Sequence, residues 1–180
     1  MDMRGIWVFG YGSLMWNPGF AHIDRQVATL GGYRRSFCMH SVEHRGTPER
    51  PGLVLALEET GEASCSGIAF LPDPATAAQT LAGLRARELV TDAYLERVCE
   101  VDLMDGRRVR ALTYVMDRDH VQYARGLTLD EQAQIISRAT GGRGPNTDYL
   151  RATVAALHDQ GIADEELAEL ERRVAALSRR

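Results

Sequence analysis

Strand-type and helix-type patterns are segregated along this chain rather than interleaved, and that order restricts the folds open to it. Ile6 to Phe9 is a short, nearly all-apolar run ending at Gly10, the pattern of a buried strand. Gln26 to Ser41 reads as a second strand region, with Gly31-Gly32 as a bulge or turn inside it. After a loop by composition over Glu43 to Gly52, Leu53 to Leu57 and Ser66 to Leu71 read as two strands joined by a polar turn around Gly61. One helix interrupts. Asp73-Pro74 supplies a capping side chain and then Pro at the first helical position, and the helix is expected to run to about Leu89. Tyr94 to Leu103 and Arg107 to Met116 are strands joined across Asp105-Gly106, a strong hairpin signal.

The last third is helical. Thr128 and Glu131 form a capping-box pattern, and Gly141-Gly142 is expected to close that helix. Asn146 or Thr147 is expected to cap the next, whose Leu150, Val154 and Leu157 make one apolar stripe; a final charged amphipathic helix starts near Asp164. A doubly wound fold needs strands alternating with helices. This order predicts an α+β fold instead, a mostly antiparallel sheet or small barrel covered by helices.

A length of 180 residues favours one domain over 1–180, with the C-terminal helix from about 163 peripheral. The formal net charge of −4 argues against a nucleic-acid partner or an anionic-membrane surface. No apolar run approaches the ~20 residues a membrane span needs, and the opening MDMRGIWVFG reads as a first strand rather than a signal peptide. Cys38, Cys65 and Cys99 are odd in number and widely spaced, which predicts reduced thiols in a cytoplasmic setting and no structural zinc. All 21 basic residues are Arg, so Schiff-base chemistry, a Lys base and a P-loop are excluded together.

Glu88 is the carboxylate that stands out. It falls in step with Leu81 and Leu84, and positions i, i+3 and i+7 share one helical face, so it is expected to point toward the core. A buried acid is costly unless it is paired or does chemistry. The competing reading is a helix-end carboxylate paired with Arg85 or Arg87. Near the N-terminus, Gly10-Tyr11-Gly12-Ser13 is a glycine-rich turn after a strand, able to present successive backbone N–H groups to an anion. It has neither dinucleotide spacing nor a nucleophile elbow, so Ser13 is not expected to act as a nucleophile. His40 and His44 lack an evident third ligand for a metal. Arg34-Arg35 could fork onto a substrate carboxylate, although such a pair more often alternates across a strand with one member in solvent.

Together these segments resemble the ChaC family of glutathione-specific γ-glutamylcyclotransferases. The matching stretches are WVFGYGSLMW, YRRSF, EHRGTPERPG, RARELV and GPNTDYL, in the family's order from residue 6 to about 155. The resemblance implies a γ-glutamylcyclotransferase-like fold, a small mixed or antiparallel β-barrel with flanking helices. It implies a carbon–nitrogen lyase that cleaves glutathione to 5-oxoproline and cysteinylglycine without metal or cofactor. The family's substrate loop maps onto Val8, Phe9, Gly10, Tyr11, Gly12, Ser13 and Leu14, and its acid–base glutamate onto Glu88. Arg34, Arg35 and Tyr149 are further candidates for lining the pocket. The stretch Leu89 to Tyr94 departs from the glycine-rich turn of some members. Rival readings are the same chemistry on another γ-glutamyl amine or peptide, and a γ-glutamyl-binding module without turnover.

Overall fold

The computed structural model describes residues 5–178. Five strands, β1 (Trp7–Gly10), β2 (His22–Ser41), β3 (Gly52–Pro72), β4 (Tyr94–Leu103) and β5 (Arg108–Met116), close into a barrel in the order β1-β3-β2-β4-β5. β1 lies antiparallel to β3 and parallel to β5, so the sheet is mixed. Closure leaves it no long unpaired edge. The helices are α1 (Ala77–Glu88), α2 (Leu129–Arg138), α3 (Asn146–Asp159) and α4 (Glu165–Leu177), with a two-residue ladder of β6 (Thr140–Gly141) and β7 (Gly144–Pro145) between α2 and α3. The α+β expectation therefore holds.

The chain forms two compact units. The first is the segment through Arg35 together with Leu57–His120; the second is Ser36–Ala56 together with the chain from Val121 onward. In the first, β1 is buried on both faces, which is why its sequence is a continuous apolar run. Trp7 and Phe9 pack with Leu30, Leu57, Val101 and Val115, while Ile6 and Val8 pack on the other side with Leu81, Leu84 and Tyr114. This is the two-residue alternation of a strand.

The strand pair expected over residues 53–71 is instead one strand, β3. Gly61 does not turn the chain back. It sits at φ 80°, and Gly32 inside β2 sits at φ 82°. Glycine takes the left-handed region without a Cβ clash, and one such residue kinks a strand without ending it. The β4–β5 hairpin is as expected, with Leu103 N–H donating to the Arg107 carbonyl at 2.8 Å.

In the second unit, Thr128 and Glu131 cap α2 reciprocally, as expected. The helix stops at Arg138, before Gly141-Gly142. A Cβ at Gly141 would lie 2.5–2.7 Å from the backbone of His44, Arg45 and Gly46, so this glycine serves close packing rather than helix termination. Asn146 does not cap α3. It is the first helical residue, fully buried, and its side-chain amide accepts from the Leu53 N–H and donates to the Leu53 carbonyl, both at 2.7 Å. That pair satisfies two backbone groups which burial would otherwise leave costly. Thr153, not Val154, is buried between Leu150 and Leu157; its hydroxyl donates to the Tyr149 carbonyl. Asp164 caps α4, which buries Leu167, Leu170 and Val174 and pairs Arg173 with Asp130 of α2.

Candidate active site

The turn after β1 is held from several sides. Met15 N–H donates to the Gly12 carbonyl and Asn17 N–H to the Ser13 carbonyl, each at 2.9 Å, winding Ser13–Met15 into a short 3-10 turn. The buried Thr113 hydroxyl donates to the Phe9 carbonyl at 3.1 Å. Val8 and Phe9 are committed to packing on opposite faces of β1; Tyr11 packs with Phe9, and Leu14 with Leu84. Ser13 is half-buried.

Arg34 and Arg35 alternate across β2. Arg34 is about half exposed and donates to Glu58 at 2.9 Å. Arg35 is 5% exposed and donates through Nη1 to the carbonyls of Tyr11, at 2.8 Å, and Ser66, at 3.0 Å. Arg35 thus fastens the turn to β3. The next residue of β3 completes the fit: a Cβ on Gly67 would come within 2.3 Å of the Gly10 carbonyl oxygen and 2.7 Å of the Phe9 ring. We expect Gly67→Ala to destabilise the protein by about 1–3 kcal/mol, the range for forcing atoms into a packed site. A lowered urea midpoint with a weakened substrate KM would be the signature.

Glu88 is the last residue of α1, and its side chain is 18% exposed. Burial pushes its carboxyl above the ordinary range, and the Arg87 cation pulls it back. It is half-buried at the end of a helix that buries Thr80, Leu81 and Leu84, and its Oε1 is 3.1 Å from the Arg87 Nε. The same guanidinium donates from Nη1 to the Asn17 carbonyl at 2.7 Å and from Nη2 to the Ser13 hydroxyl at 2.8 Å. Arg87 also lines a groove of about 310 Å³ between α1 and Pro18–Ala21.

A second acid nearby is pushed the other way. Glu96 on β4 receives a bidentate fork from Arg85, at 2.8 and 2.6 Å, which holds it below the usual carboxylate range. Opposite it on β5, the buried Tyr114 donates its hydroxyl to Glu96 at 3.4 Å. Burial, and then the charges of Glu96 and Glu88, raise the Tyr114 phenol. Two carboxyls with oppositely tuned acidity, on a helix end and the strand beside it, are the arrangement in which one acid can exchange protons and the other only hold charge.

Tyr149, on α3, belongs to the second unit. It meets Phe37 edge-on at 5.7 Å, and the Arg45 guanidinium lies 5.4 Å from its ring centre. Among the described residues no group of three His, Cys, Asp or Glu side chains is gathered as a metal site.

A model of the ChaC-like protein family matches residues 6–177. The chain belongs to the ChaC-like family. It is 38% identical over 169 residues to the glutathione-specific γ-glutamylcyclotransferase of Escherichia coli K12, covering 94% of this chain and 72% of that protein. It is 35% identical over 163 residues to the Schizosaccharomyces pombe protein of the same name, covering 81% and 79%. Among solved structures, the γ-glutamyl cyclotransferase specific to glutathione from yeast superposes with a TM-score of 0.84 at 25% identity, over 97% of this chain and 99% of that one.

In this ChaC-like chain, Thr113 and Gly67 are site-shaping residues that sequence reasoning passed over, and Arg87 enters it only as an ion-pair partner for Glu88. Gly67 alone carried a local signal, a glycine inside a strand pattern. The loop where some members carry glycines holds Asp92 at φ 53°, a left-handed conformation that aspartate tolerates better than most side chains.

Proposed function

We propose that this chain is a glutathione-specific γ-glutamylcyclotransferase that releases 5-oxoproline and cysteinylglycine in the cytoplasm without a cofactor. The observation that carries the reading is the half-buried Glu88, tied through Arg87 to the turn after β1, in a ChaC-like chain. The relatives' activity supports the substrate. Three cysteines outside any disulfide accord with a reducing compartment, and no helix among the described residues is long and apolar enough to cross a membrane.

The donor brings its own nucleophile. Its α-amino nitrogen attacks the γ-carbonyl carbon, a five-membered lactam closes, and the bond to the cysteinyl nitrogen breaks. Holding the two groups in attacking geometry can supply about 7–11 kcal/mol of the barrier. Glu88 takes one proton from the α-ammonium so that the amine can attack, and the ring nitrogen sheds a second as the lactam forms; both end on the departing nitrogen, which leaves as the cysteinyl ammonium, so no net proton or water is consumed. An ordinary carboxylate is a weak base at neutral pH; burial makes Glu88 a better match to both transfers. Backbone N–H groups of Gly10 to Leu14 hold the substrate carboxylate or the oxyanion, and Arg35 keeps that segment in place.

The test is to incubate the purified protein with glutathione, and in parallel with γ-glutamyl amino acids and a γ-glutamyl amine. Equimolar cysteinylglycine and 5-oxoproline from glutathione, with far slower turnover of the other donors, is the expected result. Faster turnover of another donor would reassign the substrate. Binding of glutathione without any lactam would overturn the enzyme reading.

A further inference from the structure

We propose that Arg87 is a positioning residue whose single guanidinium fastens the carboxylate of Glu88 and the turn Ser13–Asn17 into one unit. The proposal rests on the reading of Glu88 as the general base.

The geometry is specific to an arginine. Three nitrogens face three partners: Nε the Glu88 Oε1 at 3.1 Å, Nη1 the Asn17 carbonyl at 2.7 Å, and Nη2 the Ser13 hydroxyl at 2.8 Å. A planar fork fixes the relative position of all three, whereas an ammonium offers one mobile point charge. Asn17 and Ser13 are themselves joined by the Asn17 N–H to Ser13 carbonyl bond, so the fork grips a closed turn rather than a loose end. The partners lie 70 and 74 residues away in sequence, so the contact ties separate elements together. A substrate seated on the turn would meet the base already in register, and an error of about 1 Å there can cost a hundredfold in rate.

The same cation acts on the acid. Burial raises Glu88 and Arg87 opposes it. Tyr114 on β5 also feels the Glu88 charge, and Tyr114 is in turn beside Glu96 on β4 and Arg85 on α1. Glu96 and Arg85 are paired with one another, and the Tyr114 hydroxyl is engaged with Glu96. Arg87 is thus the cation set directly against the Glu88 carboxylate. Without it burial is unopposed, and the base form of Glu88 appears only at higher pH.

Arg87→Gln and Arg87→Lys separate the fork from the charge. The readouts are kcat and KM for glutathione across pH, and the titration of the Glu88 side-chain carboxyl by carbon NMR, identified by its disappearance in Glu88→Gln. Arg87→Gln should raise KM by about tenfold, the scale of hydrogen bonds from a charged donor, and move the acid limb of kcat/KM and the carboxyl titration to higher pH. Arg87→Lys should leave the limb and the titration near their wild-type positions but keep the raised KM. A purely structural role would move neither limb nor titration. The proposal is overturned if the carboxyl titration in Arg87→Gln is unmoved, or if Arg87→Lys restores wild-type KM. If the titration moves but the rate profile does not follow it, the coupling stands and the assignment of Glu88 as the base fails. If Glu88→Gln abolishes turnover while both Arg87 variants are silent, the base stands and the coupling falls.

Discussion

Replacing Glu88 by Gln is expected to cut 5-oxoproline formation by about a hundred- to ten-thousandfold while leaving the protein folded and somewhat more stable at neutral pH. The first effect is the usual worth of a positioned general acid–base group. The second follows from burial. The carboxyl is held above its ordinary value of 4.5, so the native chain binds its proton more tightly than the unfolded chain does. Its ionisation therefore weakens the fold. The penalty is absent below the unfolded pKa, grows as pH rises between the two values, and is complete above the folded one. Gln has nearly the same shape and cannot ionise, so it escapes the penalty. Thermal midpoints of the two proteins should converge in acid and separate in favour of the variant toward neutrality. A variant that still forms lactam at near wild-type rate would show that the proton passes elsewhere.

Replacing Arg35 by Met should cost about 3 kcal/mol of stability and most of the activity. Two carbonyl oxygens, of Tyr11 and Ser66, would each lose a charged donor at a site where Arg35 is only 5% exposed. A buried acceptor left unmatched costs ~1–3 kcal/mol. The turn after β1 would be released from β3, so KM should rise together with the fall in the urea midpoint. If Arg35 instead gripped a substrate carboxylate, as the twin arginines in the sequence allowed, KM would rise while the midpoint stayed in place.

Features with short-range signals were legible in the sequence. The capping box at Thr128 and Glu131, the Asp164 cap and the hairpin at Asp105-Gly106 each involve residues a few positions apart, and all three formed. Helical spacing alone points Glu88 inward, and the structure leaves it half-buried. Asn146 reads as one of two candidate caps because its real partner, Leu53, lies 93 residues away, and nothing local distinguishes an Asn that caps from one that bonds a distant strand. Gly141 reads as a terminator for the same reason, since the backbone it lets in belongs to His44, Arg45 and Gly46. Gly61 was ambiguous in kind: one left-handed residue can reverse a chain or merely bend it, and the ladder around it decides. Arg87 was weighed only as a neighbour for Glu88, because its grip on Ser13 and Asn17 exists only after α1 and β1 have packed.

Two of the longest strands have a bearing on how such a protein can be handled and how it can evolve. β2 changes membership between Arg35 and Ser36, and β3 between Ala56 and Leu57, each inside a strand. Neither unit can therefore be excised, swapped or fused elsewhere as a cassette, since every cut that frees one severs a strand of the other. Recombination should leave this lineage whole, and reporter insertions belong near His120, where the chain passes between units outside the strands.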